Sequence, residues 1–333
     1  MTAIRLRIYS NPGRLLAGAL HRFRFIGSEN MTQQPSISAA THIGVVSLTV
    51  ADMSRSLQFY GNVLGLRSQS ASDEGGLLVA ADGTPLLELV EQRGARPKPQ
   101  RATGLYHFAL LLPSRLDLAR WLQHVAETRW PLQGWADHGV SEAIYLADPD
   151  GNGIEVYRDR PRAEWPMADG GLQMVSDPLD ARGLLALLGD DGQPWQAMPA
   201  GSVMGHVHLH VADIEPARMF YCDVLGFDLV QRYGASALFV SAGGYHHHIG
   251  LNTWAGQGAP PAPAGSAGLR NFEILLPDQD AVAEVAVRLE QAGISFARSD
   301  GEITLRDPSG NGIHFVTEGQ GWQQIENLPQ LWQ

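Results

Sequence analysis

Apolar residues alternate with other residues in two short segments, and each of these segments is followed by a helical pattern. Val46–Val50 and Val207–Val211 have this alternation, which predicts strands with one buried face. Each strand ends just before an aspartate, Asp52 or Asp213, which can cap the helix that follows. The same strand-and-helix pattern is therefore predicted near the start of each half of the chain.

A second strand and helix follow in each half. Strands are predicted at His107–Leu112 and Asn271–Leu276, and helices at Asp117–Glu127 and Asp280–Gln291. The closing strands surround segments of the form Asp-Pro-x-Gly-Asn-Gly, in which proline presets φ while glycine and asparagine accept positive φ. Each half is therefore predicted to contain two βαβββ units, which gives an α+β fold with four units in all.

Three segments of the first half recur in the second half, in the same order and at nearly constant separation. The paired segments are 48–66 and 209–227, 105–119 and 269–283, and 148–157 and 307–316. This internal repeat indicates a gene duplication. The predicted organisation is a leader (1–39), a first domain (40–160), a linker (161–200), a second domain (201–318) and a C-terminal tail (319–333).

Composition excludes several classes of protein. The chain is 44% apolar and 18% charged, as globular proteins are, and contains no run of about 18 apolar residues that could span a membrane. A net charge of −11 argues against a nucleic-acid partner. A single cysteine, Cys222, is compatible with a reducing compartment, so a cytoplasmic location is predicted. The basic leader is interpreted as preceding the true start at Met31, although a targeting segment is the alternative.

The motifs resemble those of a known superfamily. The blocks V-A-D…F-Y…V-L-G and D-P-x-G-N are similar to those of the vicinal oxygen chelate superfamily, which includes glyoxalases, bleomycin-resistance proteins and type I extradiol dioxygenases. The resemblance covers residues 42–318 and implies two tandem domains whose units form cupped mixed sheets. The segments GHVHLHVAD, GGYHHHIGLNTW and SEAIYLADPDGNGIEVY resemble more narrowly the two-domain bacterial catechol-2,3-dioxygenases.

One segment is close to the extradiol dioxygenase fingerprint. The matching positions are His138, Ile144, Tyr145, Asp148, Pro149, Gly151 and Glu155. Ala136 departs from the usual residue two places before the histidine, at a position that carries no chemistry. The resemblance implies that Glu155 is a metal ligand, that Tyr145 hydrogen-bonds a substrate oxygen, and that His138 supports it.

The resemblance also implies where the first ligand lies, namely seven residues before the aspartate that begins the helix. In the second half this residue is His206, seven before Asp213. In the first half it is Val45, which cannot bind a metal. His42 does not replace it, because an odd spacing places the two side chains on opposite faces of a strand.

The remaining ligand positions are divided between the halves. The family's next position is His107 in the first half but Asn271 in the second, and its closing-strand position is Glu155 in the first but His314 in the second. Pairing the second unit with the third unites His107 and Glu155 with His206 in one site. The resemblance therefore implies a single metal site formed across the two halves.

If units paired within each half instead, His206 and His314 would need a further ligand, His208 or His248. Two histidines and one carboxylate leave coordination positions open, which suits Fe(II) that must bind a bidentate substrate and O₂ together. Mn(II) fits the same ligands, whereas structural zinc sites leave no open position.

The resemblance places the catalytic base some forty to fifty residues after the first ligand. His248 is the preferred base and His246 the alternative, since both are interpreted as lying on one strand face. His247 is interpreted as structural, as are three isolated strand histidines (His42, His208 and His210). Tyr245 and Trp254 are candidates for the wall of an aromatic pocket, although ordinary core packing explains them equally well.

The resulting hypothesis is an Fe(II)-dependent extradiol dioxygenase that opens a small aromatic diol with O₂ to a muconic semialdehyde-type product. Two alternatives stay open within the superfamily, a glyoxalase-like isomerase and a hydroquinone-cleaving enzyme. A third alternative is a metal-free protein that binds small aromatic compounds, as bleomycin-resistance proteins do. The paired sheets are compatible with a homo-oligomer.

Overall fold

The computed structural model describes residues 36–71, 75–168, 170–189 and 193–318. Most of the predicted leader and the predicted tail lie outside these residues. Ile37, assigned to the leader from the sequence, is nevertheless buried, and its N–H donates to the carbonyl of Gly226 at 2.8 Å. Among the described helices, none combines the length and the apolar character needed to cross a membrane.

The first half contains two βαβββ units. The first unit consists of β1 (His42–Val50), α1 (Met53–Asn62), β2 (Arg67–Ala71), β3 (Gly75–Val79) and β4 (Pro85–Glu91). The second unit consists of β5 (Gly104–Leu111), α2 (Arg115–Thr128), β6 (Leu132–Asp137), β7 (Ser141–Ala147) and β8 (Gly153–Asp159). The predicted linker then adds a 3₁₀ turn (Arg162–Glu164), the short strands β9 (Met167–Ala168) and β10 (Gly171–Leu172), and α3 (Ala181–Ala186).

The second half repeats the pattern. The third unit consists of β11 (Val203–His210), α4 (Ile214–Arg218) continued by a π-helical segment (Met219–Val224), β12 (Asp228–Tyr233), β13 (Ala237–Ser241) and β14 (Ile249–Asn252). The fourth unit consists of β15 (Gly268–Leu276), α5 (Gln279–Gln291), β16 (Ala297–Ser299), β17 (Glu302–Arg306) and β18 (Gly312–Thr317). The α+β fold with four units is therefore confirmed.

The units pair between the halves rather than within them. One eight-stranded sheet has the order β12-β13-β14-β11-β5-β8-β7-β6, which joins the third unit to the second. The other has the order β16-β17-β18-β15-β1-β4-β3-β2, which joins the fourth unit to the first. The antiparallel pairs β11 with β5 and β1 with β15 form the two junctions. The crosswise pairing predicted from the sequence is therefore the one that the structure has.

Aspartate caps fix where the first helix of each half begins. The side chain of Asp52 accepts a hydrogen bond from the N–H of Arg55, and that of Asp213 accepts one from Glu215. A cap of this kind stabilises a helix by about 1 kcal/mol. The strand-to-helix turns predicted from the repeat are thereby confirmed.

The alternation along β11 separates a core face from a polar face. Val207 and Leu209 are fully buried and belong to the main apolar core. Burying a side chain of this size stabilises the fold by about 1.5–3 kcal/mol. Because strand side chains alternate, His206, His208 and His210 project from the opposite face. The apolar residues therefore fix the strand and leave its other face for polar chemistry.

Candidate metal centre

Three buried side chains meet on three adjacent strands of the sheet that joins the second and third units. His206 comes from β11, His107 from the central strand β5, and Glu155 from β8. Oε2 of Glu155 lies 3.2 Å from Nε2 of His107 and 3.3 Å from Nε2 of His206. The three donor atoms all lie within 4.8 Å of one another. The structure thus brings together the three ligands predicted from the two halves.

The electrostatics of the cluster suit a cation. Burial alone would raise the pKa of Glu155, but the neighbouring His206 and His107 outweigh it and keep the pKa well below its usual range. Burial lowers the pKa of His206 to about 4, against the opposing attraction of Glu155. At neutral pH Glu155 is therefore a carboxylate and His206 a neutral imidazole, which are the forms that bind metal ions.

One of the three donor atoms also lacks a hydrogen-bond partner, and a bound ion would supply a partner for it. Although Nε2 of His107 lies near Glu155, it makes no well-directed hydrogen bond, and the atom is buried. A buried polar atom without a partner is costly. Two imidazoles and one carboxylate on one side of an ion leave other positions open, the arrangement of non-haem Fe(II) oxygenases. The residues present fit such an ion.

The corresponding positions of the other sheet are arranged differently. Val45 packs with Leu77 and Val79 in a small apolar cluster. Nε2 of His314 lies 2.9 Å from Glu302, and its Nδ1 lies 3.9 Å from Glu273. Within the described residues, the only group of three donors close enough to share an ion is the one formed by His107, Glu155 and His206.

A cavity of about 410 Å³ opens beside the three-residue cluster. Its aromatic wall is formed by Tyr106, Trp135, Tyr233, Phe239 and Trp254. Among the described residues that line it there is no lysine or arginine, and Glu155 is the sole carboxylate. The cavity is therefore suited to an uncharged aromatic molecule that reaches the cluster at its base.

Tyr145 and His138, both predicted from the fingerprint, also line the cavity. Nδ1 of His138 donates to the carbonyl of Val175 at 2.7 Å, because a carbonyl can only accept. When His138 is protonated only at Nδ1, its other nitrogen, Nε2, accepts from the hydroxyl of Tyr145 at 2.6 Å. Burial and, secondly, Glu155 raise the pKa of Tyr145 well above its usual value. Tyr145 thus stays neutral, with oxygen lone pairs available to the cavity.

Neither of the two histidines predicted as the catalytic base lines the cavity. His246 and His248 do not share a strand face, because β14 begins only at Ile249 and the preceding chain turns through Gly243 and Gly244 at positive φ. His248 is absent from the cavity lining, and its Nδ1 accepts from the N–H of Ala242 at 3.1 Å. Burial lowers the pKa of His248 to about 3. The preferred base, His248, therefore lies outside the cavity lining.

Two histidines interpreted as structural face the cavity instead. His247 packs against His206 with 4.1 Å between the ring centroids, and burial, followed by His206, keeps its pKa well below its usual value. His208 also lines the cavity, next to His107 at a centroid distance of 5.0 Å, and its Nε2 is buried without a hydrogen-bond partner. Both residues therefore line the cavity, a position that the sequence analysis did not assign to them.

Of the three residues predicted less firmly to line the pocket, one lines the cavity and two do not. Trp254 lines the cavity, which is one of the two alternatives that the sequence left open, and 47% of its surface is exposed. Tyr245 does not line it, and its hydroxyl lies 2.8 Å from that of Tyr157. His246 is buried and does not line the cavity, and its Nε2 lies 2.9 Å from Oδ1 of Asp159.

The segment predicted as a linker contributes part of the cavity wall, which the sequence did not indicate. Met174, Val175 and Ser176 line the cavity. The segment is joined to β12 by Gln231, whose side chain accepts from the N–H of Met174 at 2.7 Å and donates to its carbonyl at 3.2 Å. Hydrogen bonds from 175 and 177 to the 137–138 backbone attach it to the opposite edge of the sheet.

Comparison with known proteins agrees with this geometry. The family model described as the glyoxalase/bleomycin resistance protein/dioxygenase superfamily matches the chain twice, at residues 42–156 and 203–315. A protein of Bacillus subtilis strain 168 named catechol-2,3-dioxygenase is 47% identical over 285 residues, which are 84% of this chain and 99% of that protein.

Solved structures share the architecture at much lower identity. A protein from the same Bacillus strain is 13% identical with a TM-score of 0.62, and the match covers 86% of this chain and 87% of that one. Glyoxalase I from Zea mays is 16% identical with a TM-score of 0.52, and the match covers 84% and 92%. At these identities the similarity shows the fold alone.

Proposed function

Because the chain belongs to the glyoxalase/bleomycin resistance protein/dioxygenase superfamily, we propose that its cross-half cluster is the metal site of an extradiol dioxygenase. The predicted enzyme class is confirmed by the 47% identity to a catechol-2,3-dioxygenase over nearly that protein's full length. The observation that carries the proposal is the buried His107–Glu155–His206 cluster at the base of an aromatic cavity. The proposed reaction is O₂-dependent opening of a catechol next to one hydroxyl group, which gives a muconic semialdehyde-type product.

Fe(II) is the proposed ion, and Mn(II) fits the same donors. When bound, such an ion supplies open coordination positions for both catechol oxygens and for O₂, and transfers electrons between them. The chain's contribution is to bring the carboxylate of Glu155 and Nε2 of both histidines together in a site shielded from water. The three ligand side chains are each less than a tenth exposed.

His247 is the proposed base for a catechol proton. It lines the cavity beside His206, and its lowered pKa keeps the imidazole neutral, so that Nε2 can accept a proton from a bound hydroxyl group. This proposal replaces His248, which lies outside the cavity. Tyr145 can accept a hydrogen bond from the substrate, since its own proton is donated to His138.

The lining indicates which diols the site accepts. A carboxylate on the ring would have to lose water near Glu155, with no lysine or arginine among the lining residues to offset that cost. Apolar substituents would contact the aromatic wall instead. We therefore propose that the substrates are uncharged catechols, preferred at least about tenfold in kcat/KM over carboxylated ones, which corresponds to about 1.4 kcal/mol. A cytoplasmic location and a homo-oligomer stay predictions from the sequence.

The test is oxygen consumption and formation of a yellow ring-opened product by the anaerobically purified, Fe(II)-loaded protein supplied with catechol. Both signals should disappear in His107→Ala, Glu155→Ala and His206→Ala, because each variant removes one ligand. His314→Ala is the matched control, since His314 occupies the equivalent place in the other sheet. A folded, iron-loaded protein that consumes no oxygen with any catechol would refute the function.

Activity that survives in His107→Ala but not in His314→Ala would refute the cross-half site. Preference for carboxylated catechols would refute the proposed substrate class, without refuting ring cleavage.

A further inference from the structure

A line of polar side chains leads from the half-buried Asp159, at the end of β8, through buried histidines to the cavity. Oδ1 of Asp159 lies 2.9 Å from Nε2 of His246. Nδ1 of His246 lies 2.8 Å from Nδ1 of the adjacent His247. His246 is fully buried, and His247 belongs to the cavity lining. The cavity is thus connected to a carboxylate through two imidazoles.

The direction of each hydrogen bond follows from the carboxylate. A carboxylate can only accept, so Nε2 of His246 must carry a proton. A His246 that carries only this proton has a lone pair at Nδ1, and that lone pair accepts from Nδ1–H of His247. Neutral His247, protonated at Nδ1, has its lone pair at Nε2 on the remaining edge of the ring. With each imidazole singly protonated, these contacts determine that Nε2 is the unprotonated nitrogen of His247.

Packing prevents His246 from turning out of this arrangement. Its ring centroid lies 4.0 Å from that of Tyr245 and 5.4 Å from that of Trp165, which enclose it. Asp159 follows Glu155 by four residues on β8, so the two side chains project from the same face of the strand. One strand thus carries both a metal-binding carboxylate and the carboxylate that starts this line.

We propose that Asp159 and His246 are positioning residues that hold His247 in the tautomer protonated at Nδ1, so that a lone pair at Nε2 faces the cavity. Unconstrained histidine exchanges between two tautomers, and the wrong one would direct an N–H at the substrate hydroxyl group instead of accepting its proton. The effect of this arrangement on catalysis rests on the proposed function. The tautomer of His247 does not depend on the proposed function.

The tautomer is measured in the metal-free protein by two-bond ¹⁵N–¹H correlation spectra of histidine-labelled samples at pH 7. The His247 signal is assigned by its loss in His247→Gln. The wild type should show His247 protonated at Nδ1 and His246 protonated at Nε2. Asp159→Leu should lose the Nδ1-protonated pattern of His247, because leucine cannot accept from His246. Asp159→Asn should keep it, since the amide oxygen still accepts.

Ser241→Ala is the matched control, because Ser241 contacts the neighbouring His248 but not the line itself. The His247 tautomer should be unchanged in this variant. A wild-type His247 protonated at Nε2 would overturn the proposal. An Nδ1-protonated His247 that persists in Asp159→Leu would also overturn it.

Kinetics on the iron-loaded enzyme separate positioning from a merely structural role. In Asp159→Leu, kcat for catechol should fall about 10- to 100-fold, by analogy with the loss found when hydrogen-bond partners of metal-ligating histidines are removed, while KM changes little. Asp159→Asn should recover most of the loss. An unchanged kcat in Asp159→Leu would refute the catalytic meaning. If the wild type does not turn over catechol at all, the proposed function fails, and the spectra still decide the tautomer.

Discussion

Replacing Glu142 by glutamine is expected to destabilise the sheet that carries the site by about 3 kcal/mol. Glu142 lies on β7, the strand that also carries Tyr145, and its side chain is 1% exposed. Its Oε2 accepts from Nε of Arg115 and from Nε of Arg158, each at 2.7 Å. The change leaves the volume nearly constant, so the loss of charge is the main effect.

The expected loss of stability follows from the arginine charge that Glu142→Gln leaves without a carboxylate partner. Removing one partner of a buried ion pair costs about 3–5 kcal/mol, because the other charge is left without compensation. The side chain of Arg158 is 9% exposed, whereas that of Arg115 is 33% exposed and can recover water. The expected cost therefore lies near the lower end of the range.

The effect should also depend on pH. Burial alone would raise the pKa of Glu142, but the hydrogen bonds from Arg115 and Arg158 outweigh it and lower the pKa below its ordinary value of 4.5. A carboxyl group with a lowered pKa in the folded state contributes stability that is complete above the unfolded pKa and is lost as pH falls through the folded pKa. The free energy of unfolding of Glu142→Gln should thus lie furthest below that of the wild type at neutral pH. This difference in free energy should become smaller below about pH 4.5.

The assay is urea unfolding at pH 7, followed by circular dichroism, with the midpoint and the slope compared between variants. Glu164→Gln is the control, because Glu164 is 55% exposed and lies 3.7 Å from Arg160. Exposed pairs of this kind contribute about 0–1 kcal/mol. If Glu142→Gln lowers the free energy of unfolding no more than Glu164→Gln does, the reasoning about the buried pair is refuted.

Two further substitutions test the walls of the site. Tyr145→Phe removes the hydroxyl that bonds to His138, so kcat should fall about a hundredfold while the iron content is unchanged. Steady-state kinetics and metal analysis measure these two quantities, and an unchanged kcat would contradict the assigned contact. In Gly205→Ala the added methyl group would overlap the hydroxyl of Tyr157, whose ring packs against His206, so unfolding should become easier by about 1–3 kcal/mol and iron should be lost. Gly171→Ala, where the methyl group meets open space, should leave both quantities unchanged.

The sequence predicted that His107, Glu155 and His206 would lie together, because all three lie on regular strands. His206 and His107 lie on β11 and β5, where alternation fixes the face on which each side chain projects. Glu155 follows a turn whose proline and glycine residues have clear conformational preferences. Aligning the two halves then showed that Val45 and Asn271 occupy positions where the family has metal ligands. Only pairing of the second unit with the third therefore unites two histidines and a carboxylate at those positions.

The positions of the three consecutive histidines could not be predicted by the same reasoning, because strand periodicity does not apply to 246–248. Gly243 and Gly244 turn the chain at positive φ just before these residues, and the strand starts after them. The wall formed by 174–176 was missed for a similar reason. Its position depends on hydrogen bonds to Gln231 and to the backbone at His138, and contacts between distant segments leave no periodic pattern in the sequence.

The most direct test of the cross-half site is the iron content of the anaerobically loaded protein. The wild type and His314→Ala should each retain one iron per chain, whereas His107→Ala, Glu155→Ala and His206→Ala should each lose it. Full iron in any of these three folded variants, or its loss in His314→Ala alone, would contradict a single site built from both halves of the chain.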